Sequence, residues 1–249
     1  MCTLVLQQKP GALLAVSGNR NELLARPALG PRVAGGVLAP YDALAGGSWL
    51  GLNAHGLFVC ITNRRGALVE GLLRPGASAL PARKSRGLLV LEALQADSAR
   101  ALRRALEELP GDRHNGFHLV YADLHDAFVT WSDGAAVQHV ALAPEQVHVV
   151  TERSFGAGEG ERERAVAADF AQLPPSLDGW RAPMTKHARE PLEGACVHAD
   201  ALGYGTRSSL QLFLRPGGAE GLWTDGHPCT GEPRPLAPLI AALGMNTSR

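Results

Sequence analysis

Four stretches of this 249-residue sequence carry residue types that could do chemistry, and the first is its opening, MCTLVLQQ. A residue as small as cysteine in second place ordinarily lets the initiator methionine be removed, which would leave Cys2 with a thiol and a free α-amine. An α-amine with a pKa of about 8 is partly neutral at cellular pH, so one residue would supply both nucleophile and base. The plain alternative is that Cys2 is a small apolar residue starting an edge strand.

A thiolate needs a positive partner, and its tetrahedral adduct needs oxyanion donors. SGNRNELLARP follows the second apolar run. Strands adjacent in sequence usually pair in space, which would place Arg20 and Asn21 beside the start of the first strand. The same residues also read as a helix N-terminus, with Asn19 as cap and Glu22 favoured by the dipole. The third stretch, GGSWLGLNAHGLFVCITNRRG, reads as a hairpin whose second strand ends at Asn63. Its amide could donate to an oxyanion or simply close a turn. Arg64 and Arg65 could bind a carboxylate or phosphate, while Trp49 and Phe58 take the apolar part of a ligand. In the fourth, GYGTRSSLQLFL, Arg207 stands at the start of a strongly apolar strand and points to solvent or toward a site.

The remaining reactive residues are scattered. Cys2, Cys60, Cys196 and Cys229 form no CxxC pair, which argues against structural zinc and a disulfide framework and for reduced thiols. The histidines, among them His114, His118, His125, His139, His148, His187 and His198, show no HExxH, so no metal is expected.

The elements that must hold these residues are mostly strands. CTLVLQQ, GALLAVSG, SWLGLN, LFVCITN, FHLVYAD, AFVTWSD, VHVVTE, ACVHAD, SSLQLFL and GLWTDG are short apolar runs bounded by turn residues. SRGLLVLEALQADSARALRRALEEL instead predicts helices, the second capped by Asp97 or Ser98, and EGERERAVAADFAQL predicts another with glutamates in its first turn. RPALGPRVAGG and LLRPGASALPARK read as mobile surface loops. Strands interrupted by helical pairs give an α+β chain of two packed, largely antiparallel sheets with helices outside.

Hydrophobic residues make up 45% of the chain and charged residues 19%, enough core for one domain spanning 1–249. Lys plus Arg and Asp plus Glu each total 24, so no net field draws the chain to nucleic acid or an anionic membrane. No signal peptide and no apolar run of membrane-spanning length is present, and a cytoplasmic location is expected.

In order along the chain, MCTLV, NRNE, GGSWLGLNAHG with ITNRRG, KSRG and YGTRSS resemble the NRDE family. That family is similar to N-terminal nucleophile (Ntn) hydrolases of the penicillin V acylase and bile salt hydrolase type, which implies a four-layer αββα fold. The resemblance implies Cys2 as nucleophile of an amidohydrolase acting on a linear, non-peptide amide, with Arg20 beside it, Asn63 in the oxyanion hole, Arg207 as the late arginine, and no required cofactor. Two departures stand out. Asn21 replaces an aspartate that would hold the terminal amine, and Glu152 replaces an expected oxyanion-hole asparagine. The family also implies an alternative, a carrier for haem or an acyl-coenzyme A, with Cys2 available as an axial ligand.

Overall fold

The computed structural model describes residues 2–64 and 83–245. From the N-terminus come β1 (Cys2–Lys9), β2 (Leu13–Leu23), β3 (Ala28–Ala34), β4 (Val37–Asp42), β5 (Leu50–Asn53) and β6 (Phe58–Asn63). Helices α1 (Arg86–Ala93) and α2 (Ala99–Ala105) follow, then β7 (Phe117–Ala122), β8 (Ala127–Ser132), β9 (Val137–Ala141) and β10 (Val147–Thr151). The last part holds α3 (Glu161–Phe170), α4 (Leu177–Arg181), β11 (His198–Ala199), β12 (Tyr204–Arg215), β13 (Gly218–Asp225), β14 (Arg234–Pro235) and α5 (Ala237–Leu243).

Two seven-stranded antiparallel sheets result. The first runs β10-β1-β2-β12-β13-β14, with β11 paired to β12, and the second runs β3 to β9 in chain order. Alternation along each strand assigns its two faces. Leu4, Leu6, Leu14, Val16, Leu210 and Leu212 turn one face of the first sheet into the core shared with the second. Val5, Leu13, Ala15 and Phe213 turn the other face toward Val166 and Phe170 of α3 and Trp180 of α4. On the far side, α1 lies on β5 and β6 and α2 on β8. Helix, sheet, sheet, helix is the αββα layering.

Ser98, one of the two expected caps, accepts from Ala101 N at 3.1 Å through its hydroxyl, and Glu163, among the glutamates expected in the first turn of α3, also accepts from Gly160 N at 2.7 Å. Two expectations are corrected. GNRNE is no helix start, because β2 runs through it, paired on both sides by β1 and β12. RPALGPRVAGG is no loop but β3 and its turn, with a register shift between Leu29 and Arg32 that accommodates Pro31. Most of LLRPGASALPARK lies outside the described residues.

A close backbone approach seats α1 against the second sheet. Ser48 N donates to Gly87 O at 3.1 Å, and a Cβ on Gly47 would lie 2.3 Å from the Gly87 carbonyl carbon. Only glycine lets the first turn of α1 press on the chain leading into β5.

Candidate active site

Cys2 begins β1, and its cross-strand partner is Arg20 in β2. Directly opposed residues in an antiparallel pair share a face, so both side chains point toward the second sheet. Arg20 is 5% exposed. Its guanidinium stacks over Trp49 at 4.2 Å and pairs with Asp42 at 3.1 Å and Glu22 at 3.6 Å. Arg26 also reaches Asp42 at 2.8 Å. Burial pushes the Asp42 carboxyl up, but the Arg26 hydrogen bond, the Ala45 N–H and the two guanidiniums outweigh it and hold the group below its ordinary value.

These residues line a cleft of about 320 Å³ at one end of the sandwich. Asn63, the last residue of β6, forms the facing wall with Ile61 and Trp49. Among the described residues the Asn63 amide has no hydrogen-bond partner, which leaves its N–H groups available to a ligand. The start of α1 closes the cleft through Ser85, Arg86 and Gly87, held in place by the Gly47–Gly87 contact. Arg86 donates to Gly116 O at 2.9 Å. Burial lowers its pKa, and the Glu22 carboxylate acts against that shift. Arg86 lies in the KSRG motif, but nothing in its local pattern revealed that α1 would bring it back to Cys2; Asp42 gave no signal at all.

Asn21 also lines the cleft, from the face of β2 opposite Arg20, where its Oδ1 accepts from Thr206 Oγ1 at 2.7 Å. Arg207 sits at the bulge in β12, where the register skips between Thr206 and Ser208. It donates to Leu24 O and lines an adjoining cleft of about 500 Å³ that shares Arg20 and Trp49 with the first.

Three other candidates stand elsewhere. Phe58 is wholly buried at the opposite end of β6, about 16 Å along the strand from Asn63. It packs between the sheets instead of lining the cleft. Arg64 is turned inward, donating to Ser154 O at 2.9 Å, lying 3.0 Å from His118 Nε2 and stacking over Trp131 at 4.2 Å. It does not line the Cys2 cleft. Arg65 lies outside the described residues. Glu152 directs its carboxylate to Arg162 of α3, 2.5 Å away, and does not line the Cys2 cleft.

The scatter of cysteine and histidine in sequence also proves misleading. His187, Cys196, His198 and Cys229 converge, with all four ligand atoms within 4.8 Å of one another.

The layered sheets, with a cysteine at the head of an inner strand, define the fold of the Ntn hydrolases. Two solved structures share it: an N-acylethanolamine-hydrolyzing acid amidase ortholog from Caenorhabditis elegans (TM-score 0.54, 15% identity, covering 87% of this chain and 93% of that one) and a variant of the conjugated bile acid hydrolase from Clostridium perfringens (TM-score 0.57, 11% identity, 99% and 95%). The sequence profile of Transport and Golgi organisation 2 matches residues 1–219, and the chain belongs to that family. No curated protein sequence matches it significantly. Among the described residues no helix is long and apolar enough to cross a membrane.

Proposed function

We propose that the cleft hydrolyses a linear amide, with Cys2 as nucleophile once the preceding methionine is removed. The observation that carries this reading is the direct pairing of Cys2 with buried Arg20, opposite an Asn63 amide on the other sheet. The Cys2 α-amine takes the thiol proton, the sulfur attacks the carbonyl carbon, and Asn63 donates to the oxyanion. The C–N bond breaks as the amine leaves with that proton. Water then cleaves the thioester, releasing the acid and restoring the thiol. In this reading Arg20, the cross-strand neighbour of Cys2, pairs with the thiolate. Arg83, Lys84 and Arg86 line the cleft without an equal number of acids, which favours a substrate carrying a negative group.

The two structural neighbours are named for an N-acylethanolamine and a conjugated bile acid, so these amides open the substrate panel. Against any amide that is turned over, Cys2→Ala should abolish activity, and Asn63→Ala should lower kcat about 100- to 1,000-fold with KM little changed. Activity retained by Cys2→Ala refutes the mechanism. Intact mass of untagged protein tests the processing step, and a retained methionine removes the amine base.

The cationic wall also favours a second reading, a carrier for an amphipathic anion such as haem or an acyl-coenzyme A. Binding would then need Arg86 but not the thiol, except for haem ligated by Cys2. Titration of wild type, Cys2→Ala and Arg86→Gln separates these cases.

A further inference from the structure

Away from the Cys2 cleft, three chain segments meet behind β12. Lys186 and His187 follow the short helical turn Ala182–Thr185, and Lys186 O accepts from Cys196 N at 2.9 Å. Cys196 leads into β11, where His198 pairs with Gly205 and Val197 exchanges hydrogen bonds with Thr206, donating to Oγ1 at 2.8 Å and accepting from N at 2.9 Å. Cys229 lies in the loop after β13. That loop is anchored by Gly226 N donating to Arg207 O at 2.8 Å, and by Arg181 donating to Pro228 O at 2.9 Å and Gly231 O at 3.2 Å. Backbone contacts therefore fix the three segments independently of the side chains they present.

Those side chains have the geometry of a coordination shell. Cys196 Sγ lies 3.7 Å from Cys229 Sγ and 3.6 Å from His198 Nε2, and His198 Nε2 lies 3.1 Å from Cys229 Sγ. In a tetrahedron with Zn–S of about 2.3 Å and Zn–N of about 2.0–2.1 Å, ligand atoms are about 3.4–3.8 Å apart. Two edges match and the third is a few tenths short. The sulfurs are too far apart for a disulfide, which needs about 2.05 Å. His187 completes the set, its ring centroid 4.7 Å from that of His198.

We propose that His187, Cys196, His198 and Cys229 form a four-ligand zinc site. An alternative grouping of His198, Asp200 and His227 shares one ligand with it. Two sulfurs make the first set the better match for zinc than an exposed carboxylate does. His227 instead stacks on His198, with ring centroids 3.8 Å apart. Binding releases the two thiol protons, since cysteine coordinates as thiolate. With four protein ligands the site is closed and structural. It ties the 187–198 segment to the loop carrying His227, a residue that lines the Arg207 cleft. The assignment does not depend on any activity at Cys2.

The test is metal analysis of the intact chain, expressed with zinc supplied and exhaustively dialysed. One zinc per chain is expected, released by an organomercurial thiol reagent, together with the visible bands of thiolate-bound tetrahedral cobalt after cobalt substitution. Cys229→Ser should lose the metal. His187→Gln, altering an exposed side chain, should keep the fold and weaken zinc binding beyond the roughly 10- to 100-fold that loss of a ligand's supporting hydrogen bond costs. Cys60→Ser and Cys2→Ala should still bind one zinc. Folded wild-type protein that takes up no zinc, zinc retained in Cys229→Ser, or a Cys196–Cys229 disulfide in protein purified without air would each overturn the assignment.

Discussion

Arg20 is held by three forces at once: an aromatic face, two carboxylates and near-complete exclusion from water. Removing one partner of a buried pair strands the other, whereas an exposed partner is replaced by solvent. Asp42→Ala should therefore cost about 3 kcal/mol in urea unfolding, and Arg26→Ala, whose guanidinium is 25% exposed, about 1 kcal/mol. Equal costs would show that Arg20 does not depend on Asp42. Because the Asp42 pKa is depressed in the fold, its contribution is present above the ordinary carboxylate range, near 3.8, and fades only as pH falls below it. The roles of neighbouring residues could be read from sequence only as far as strand alternation could be counted. Asn63 ends β6, but Arg64 N still donates to Gly116 O at 3.1 Å, extending the ladder by one residue and turning Arg64 to the opposite face. A motif that sees two polar residues after a strand cannot tell which face each will take.

At the scale of elements, β6, β7 and β10 are joined by a buried polar chain. His118 Nε2 lies 3.0 Å from both the Arg64 guanidinium and Ser154 O, its Nδ1 lies 3.1 Å from Thr62 Oγ1, and Thr62 in turn donates to Thr151 O at 3.3 Å across the sheet interface. Burial first, and then the Arg64 charge, push the His118 pKa down to about 4. Between its ordinary 6.5 and about 4 the unfolded chain takes up a proton that the folded chain refuses, so stability falls as pH falls through that window. The loss amounts to about 3 kcal/mol. Denaturant unfolding at several pH values should show this slope in wild type and a flatter one in His118→Asn; parallel slopes would remove the role assigned to His118. The elements themselves differ in how plainly they were written. Strands buried on both faces announced themselves as apolar runs. β3 did not, because it is an edge strand whose Pro31 and Gly30 sit at a register shift and so resembled loop.

At the scale of the whole molecule, the layer order followed from patterning, but the convergence of Cys196, His198, Cys229 and His187 did not. Their spacing is set by β11, β12 and the loop after β13, and local sequence carries no record of which loops meet. The Gly47–Gly87 contact is of the same kind: Gly47→Ala should cost about 1–3 kcal/mol by forcing α1 off β5, read as a lower Tm. The largest consequence concerns β1. β1 is flanked by β10 and β2, and its first residue, paired with Arg20 of β2, is held just where it meets the cleft. Any peptide joined ahead of Cys2, whether leader or affinity tag, would have to leave through the space that a substrate enters. Under the mechanism proposed for Cys2, such an extension would inhibit in cis, and its proteolytic trimming would amount to activation of a zymogen.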